Sequence, residues 1–130
     1  MIYSFQKDIN PICLIELFTS VGWQNIGIIL LQKAMKNSIP ISLWDGRTLV
    51  GFVRVITDGE TFSSIWDLAI RPEYQSQGLG TFLVNLAVQQ CNTPLVFTLA
   101  NNSAVGFYAR HGFIGDSPNR TPMFLNCNEL

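Results

Sequence analysis

Histidine is nearly missing from this 130-residue chain, and so is charge. His111 stands alone, and Asp, Glu, Lys and Arg together make up only 13% of the residues. One imidazole excludes a zinc cluster built on histidines and leaves a nucleophilic serine or cysteine a single candidate base. No nucleophile elbow is present either. The three cysteines, Cys13, Cys91 and Cys127, are odd in number and form no Cys-x-x-Cys pair. They read as reduced thiols of a cytosolic-type compartment, not as a disulfide framework or a metal site. A formal net charge of −1 is too small for a chain that binds nucleic acid by neutralising phosphates. Apolar runs fall far short of a membrane span, and the first residues lack the basic, apolar, small-residue order of a secretory leader. Nucleic acid, membrane and metal are all unexpected partners.

Hydrophobic residues are plentiful, at 48%. That suits one domain over residues 1–130 with a substantial core. A surface so poor in charge is compatible with self-association, so a monomer or a homodimer is expected.

The pattern predicts a short strand over Met1 to Gln6, and a helix that Pro11 opens and Gly22 closes, with Leu14, Ile15, Leu17, Phe18 and Val21 at helical spacing. A second helix is predicted from about Ile26 to Lys36. Ile39, Ile41 and Leu43 alternate as in a half-buried strand, and Asp45-Gly46 signals a hairpin. Thr48 to Thr57 is apolar on both faces, with Val50, Phe52 and Ile56 against Leu49, Val53 and Val55, as in a central strand. Asp58-Gly59 turns the chain into a strand from Phe62 to Ile70. A helix from Gly78 to Gln90 is expected to bury Leu79, Phe82, Leu83, Leu86 and Ala87. Leu95 to Leu99 is a strand, and this strand–helix–strand order needs a parallel crossover. Asn102 and Ser103 are cap types before a further helix that Gly112 stops. A last strand is predicted at Met123 to Asn126. The whole reads as an α+β layer domain around one mixed sheet.

Between the strand ending at Ile70 and the helix after Gly78 lies Arg71-Pro72-Glu73-Tyr74-Gln75-Ser76-Gln77-Gly78-Leu79-Gly80-Thr81. A strand, a polar glycine loop and a helix N-terminus together form an anion site, because first-turn amides lack partners and the helix dipole favours negative charge. Gly78 and Gly80 remove side chains where a phosphate approaches the backbone. Position 83 is Leu, which breaks the dinucleotide fingerprint, and no Lys follows Gly80, which breaks the P-loop.

What stands is Gln75-x-x-Gly78-x-Gly80 after Leu68-x-Ile70-x-Pro72. It resembles the pyrophosphate loop of the GNAT superfamily of acyl-CoA N-acyltransferases. About thirty residues on, Asn101-x-x-Ala104-x-x-x-Tyr108-x-x-x-Gly112-Phe113 resembles that superfamily's second hallmark. The resemblance covers roughly residues 39–125. Ser20-Val21-Gly22-Trp23, Ile65-Trp66-Asp67 and Tyr74 to Gly80 are further similar to the plastid-type serotonin (arylalkylamine) N-acetyltransferase branch. Ser76 departs from the glycine common there, and Asp116 to Met123 matches the branch only loosely, which leaves the acceptor open.

The resemblance implies a mixed, mostly antiparallel sheet with helices on both faces and a splayed parallel strand pair. It implies acetyl-CoA as co-substrate, with no metal, in the cytoplasm or the plastid stroma. Backbone groups of Leu68, Ala69 and Ile70 would hold the pantetheine arm. The amides of Gln75, Ser76, Gln77, Gly78, Leu79, Gly80 and Thr81 would hold the pyrophosphate, and Asn101 and Tyr108 would add cofactor contacts. The Leu68 amide would serve as an oxyanion donor, and Tyr108 as the acid that protonates the leaving thiolate.

Holding a lysine-like amine neutral at pH 7 costs about 4.6 kcal/mol, which desolvation or a base must help supply. Ser64 and Trp66 stand where relatives carry a base, and neither titrates usefully. Asp67 is the remaining catalytic candidate. By alternation it points to the other face unless a bulge turns it, and its alternative is a structural carboxylate bonded to backbone. A water chain would substitute. Phe18, Trp23 and Trp66 are candidate acceptor residues, with core packing as their alternative. Tyr108 also reads as a plain amphipathic-helix residue, Asn101 as a helix cap, and His111 as a solvated C-terminal residue. The expected acceptor is a small arylalkylamine. A protein lysine or N-terminus, or a non-catalytic acyl-CoA-binding subunit, are the other readings.

Overall fold

The computed structural model describes residues 1–24, 26–115 and 119–125. It divides into two compact units, Met1–Thr98 and Leu99–Leu130.

In the first unit, α1 (Pro11–Ser20) begins where the Asn10 side chain accepts a bond from the Ile12 amide at 3.0 Å. Pro11 takes the first helical position, where its missing N–H costs nothing. Gly22 (φ 84°) then turns the chain away. The second helix, α2 (Ile28–Lys36), starts two residues later than the apolar pattern suggests. Gly27 (φ 96°) occupies its N-cap in a conformation that a helix cannot include.

The sheet runs in the order β1-β2-β3-β4-β5. The strands are β1 (Ile2–Ser4), β2 (Ile39–Asp45), β3 (Thr48–Thr57), β4 (Phe62–Ile70) and β5 (Leu95–Thr98). The first four pair antiparallel, and β4 with β5 is the parallel pair, joined through α3 (Leu79–Gln89). The mixed, mostly antiparallel sheet is as expected. The β2–β3 hairpin closes at Asp45↔Thr48 with Gly46 (φ 59°) in its turn. In the β3–β4 turn, Asp58 Oδ1 accepts from the amides of Glu60, Thr61 and Phe62, and the Thr61 hydroxyl donates to Oδ2. Those bonds hold its carboxyl well below the usual carboxylate range, the Thr61 hydroxyl contributing most.

Helices cover both faces of the sheet. Leu14, Leu17 and Phe18 of α1 and Leu31 and Met35 of α2 pack with Leu49, Phe52 and Ala69. The opposite face is closed by α3, where a side chain at Gly51 would meet Ile70 Cδ1 at 2.9 Å and Leu83 Cδ1 at 3.0 Å. Three details depart from the sequence reading. Ile56, near the end of β3, and Phe82, on the outer side of α3, are exposed, while Val84 is buried in its place. Met123 to Leu125 form no strand, and Asn126 lies outside the described residues.

Candidate active site

The site is organised by a break in β4. Phe52 pairs with Ala69 and Arg54 with Trp66, so Asp67 and Leu68 both stand opposite Val53. Two residues against one is a β-bulge, and Asp67 sits in it with φ 59°. Left-handed backbone costs a non-glycine residue about 1 kcal/mol, and Asp is among the residues that tolerate it best. An ion pair holds it there. Arg54 Nε donates to Asp67 Oδ2 at 2.5 Å, with 17% and 31% of the two side chains exposed. Strict alternation would send Asp67 to the face opposite Trp66. The bulge instead turns its carboxylate to Arg54, the cross-strand neighbour of Trp66. The expected backbone-bonded carboxylate is therefore an arginine-bonded one. Arg54 was missed in the sequence, although one charge between Val53 and Val55 in an apolar strand already demands a buried partner.

Beside the bulge the parallel ladder ends. β5 pairs with β4 from Phe62↔Leu95 to Ile65↔Thr98, and Thr98 Oγ1 closes the last rung on Ile65 O at 2.8 Å. Trp66 to Ile70 continue along β3 with no strand among the described residues on their other edge. An edge of this kind offers N–H and C=O groups to an extended guest. Ala69 is buried in the core, so it has only its backbone to offer. Ile70 O already accepts from Gln75 Nε2 at 2.9 Å.

The glycine loop follows directly. A single 3-10 turn, Pro72–Tyr74, leads to Ser76 (φ 62°) and Gly78 (φ 81°, ψ 8°), which is the N-cap of α3. No side chain caps α3, and no acidic residue stands in its first turn, so its dipole is uncompensated where an anion would bind. A Cβ at Gly78 would meet nothing within 4 Å, which marks open space over the loop. The residues present therefore fit a pyrophosphate. The loop is braced from outside: Tyr74 Oη donates to Asp45 Oδ2 at 2.6 Å, which raises the phenol's pKa. Arg71 Nε bonds Leu49 O at 2.7 Å. Neither brace was visible in the sequence, because each partner lies on another element more than twenty residues away.

Of the three aromatics, only Phe18 and Trp23 touch ring to ring among the described residues. Phe18 is core, 7% exposed and edge-on to Phe52 at 5.9 Å. Trp23 lies against it, with ring centroids 5.3 Å apart, and is half-buried. Trp66 is half-buried with Nε1 held by Ser64 Oγ at 2.6 Å, and it makes no ring contact among the described residues.

In the second unit a 3-10 turn, Asn102–Ala104, precedes α4 (Val105–Arg110). Asn101 caps that turn through its carbonyl, which accepts from the Ala104 amide at 2.8 Å, and not through its side chain. Tyr108 is buried, with ring contacts to Phe107 at 5.2 Å and Phe113 at 5.3 Å. Gly112 (φ 87°) stops the helix as expected. His111 Nδ1 donates to Phe107 O at 2.8 Å, a C-terminal role. Asp116, Ser117 and Pro118 lie outside the described residues.

The profile of the acetyltransferase (GNAT) family matches residues 9–113. The chain belongs to the GNAT acetyltransferase family. It is 36% identical over 129 residues to an "uncharacterized N-acetyltransferase ycf52" of Pyropia yezoensis, covering 93% of this chain and 74% of that one. It is 30% identical over 143 residues to "histone acetyltransferase TAP1" of Glycine max, covering 98% and 62%. Among solved structures, the GNAT family protein SP0256 of Streptococcus pneumoniae TIGR4 superposes with a TM-score of 0.83 at 28% identity, covering 98% of each chain. As a GNAT enzyme the chain is an acetyl-CoA-dependent acetyltransferase. No described helix is long and apolar enough to cross a membrane.

Proposed function

We propose that residues 1–130 act as a single N-acetyltransferase domain. It moves the acetyl group of acetyl-CoA to the primary amine of a small arylalkylamine, by direct attack in a ternary complex. The observation that carries the donor half is the meeting, within fifteen residues, of the β4 bulge, the open β4 edge and the uncapped, glycine-headed helix α3.

Acetyl-CoA supplies the acyl group as a thioester. The amides from Gln75 to Thr81 take its pyrophosphate, and the backbone of Leu68, Ala69 and Ile70 takes the pantetheine arm. The Leu68 amide polarises the carbonyl. From the second unit, Tyr108 receives the general-acid role and Asn101 a cofactor role on the motif match alone. Asp67 Oδ2 accepts from Arg54, and in this reading the amine's proton leaves through water. Trp23 and Trp66 form the acceptor's apolar contacts. They bind a flat ring and favour its neutral amine by desolvation.

A second reading, a protein lysine acceptor, is favoured by the similarity to a relative named histone acetyltransferase. Release of free thiol from acetyl-CoA, measured with tryptamine, spermidine and a lysine peptide, separates the two. Contact with an indole contributes roughly 1.5–3 kcal/mol. Tryptamine should then exceed spermidine about tenfold or more in kcat/KM, and Trp23→Ala should largely erase the gap. Preference for the peptide would install the second reading, and no turnover of any amine would leave an acyl-CoA-binding subunit.

A further inference from the structure

Arg54 has no role in the chemistry described above, yet it is the one charge in an otherwise apolar or hydroxyl-bearing strand, and it is largely buried. Its Nε meets Asp67 Oδ2 at 2.5 Å, and Asp67 is one of only two described non-glycine residues with positive φ. The other, Ser76, lies in the glycine loop.

The consequence for the strand is large. Side chains alternate with a period of two, so an extra residue reverses the facing of everything beyond it. Because Asp67 and Leu68 share the place opposite Val53, Ala69 falls on the α1 side with Phe52. Ile70 falls on the α3 side, where its Cδ1 shares the space over Gly51 with Leu83. Without the bulge the two residues would exchange faces. Ile70 would enter the α1 core, and the strand would reach the glycine loop in the wrong register. Nothing in the local sequence requires the bulge. Asp67 has no glycine-like freedom, and the residues after it would serve a regular strand equally well. What meets the Asp67 carboxylate is the guanidinium on the neighbouring strand.

We propose that Arg54 is a positioning residue for acetyl transfer, acting through Asp67. It holds the bulge that orients the backbone of Leu68, Ala69 and Ile70 toward the acyl group. The inference rests on the acetyl-transfer reading of β4 but not on the identity of the amine. Turnover of the best amine from the panel by the unmodified chain is therefore measured first. Its absence bears on that reading, whereas the amide signals below still test this one.

The decisive experiment is a cycle of Arg54→Ala, Asp67→Gly and both together. It reads kcat at saturating acetyl-CoA, calorimetric acetyl-CoA affinity, and the amide NMR signals of Leu68, Ala69 and Ile70. Glycine adopts positive φ unaided, so it removes the need for the ion pair. Arg54→Ala alone should lower kcat tenfold or more, weaken acetyl-CoA binding through the same backbone, and shift those three amides, with the Ile2 and Ser4 amides of β1 unmoved. In the Asp67→Gly background the same substitution should cost less than threefold. If Arg54→Ala does not fold, Arg54→Gln and Arg54→Lys are read in the same way, with Lys nearer the parent because its ammonium keeps both a donor and the charge. A kcat within twofold of the parent overturns the proposal. So do unmoved amides, or an equal loss in both backgrounds, which would make Arg54 act directly. A folded Asp67→Gly chain without turnover also overturns it, since Asp67 would then act on the substrate itself.

Discussion

At the scale of the residue, the proposed donor chemistry rests on two positions. Gly78 is left-handed and faces open space, so any side chain there is strained, and an acidic one places charge at the proposed pyrophosphate site. Gly78→Glu should abolish acetyl-CoA binding in a chain that still folds. Calorimetry showing near-normal affinity would remove the pyrophosphate assignment. The acid role proposed for Tyr108 is of a different kind, because a proton delivered to the departing thiolate matters only in the transition state. Tyr108→Phe should lower kcat by roughly 10- to 10³-fold with little change in acetyl-CoA affinity, and should alter the alkaline limb of the rate profile. Full turnover across pH would mean that the thiolate leaves unassisted.

At the scale of the element, the seating of α3 on the sheet decides where its N-terminus points. Gly51 is the contact that permits close seating, since a Cβ there would already press on Ile70 and Leu83 at 2.9 and 3.0 Å. Gly51→Val adds two more carbons to a filled space and should destabilise the fold by about 1–3 kcal/mol. Because α3 begins at the glycine loop, the same change should weaken acetyl-CoA binding in the folded fraction. Thermal unfolding and calorimetry on one preparation read both effects. A mutant with parental stability and affinity would show that α3 shifts without consequence.

At the scale of the whole molecule, the dependence of stability on pH should carry the mark of one turn. The three amides and the hydroxyl that Asp58 accepts favour its ionised form in the folded chain, so its folded pKa is depressed. A depressed carboxyl contributes stability that is complete above its unfolded value, about 3.9, and is lost as pH falls toward the folded value. Asp58→Ala should lower the melting temperature at pH 7. The gap to the parent should narrow below about pH 4. An equal gap at pH 7 and pH 3 would mean that the turn owes its stability to packing and not to the carboxylate.

Much of this was legible before any coordinates. Hydrophobic period, Pro11, Gly22, Asp45-Gly46 and Asp58-Gly59 are local signals, and each marked an element boundary within two residues. The glycine loop was legible for the same reason, because strand, loop and helix N-terminus are consecutive in the chain. What the sequence could not settle are relations between residues brought together from distant segments. Alternation alone put Asp67 on the far face. Only its meeting with Arg54, thirteen residues away on β3, turns it back and sets the facing of Ala69 and Ile70. Helical spacing marked Phe18 and Phe82 alike as apolar, and tertiary packing buried the first and left the second partly exposed against Tyr3. Tyr74 read as a loop residue, until folding brought the β2–β3 hairpin to its hydroxyl. Local chain chemistry determines where elements start and stop, while bulges, faces and braces depend on which distant side chains arrive beside them.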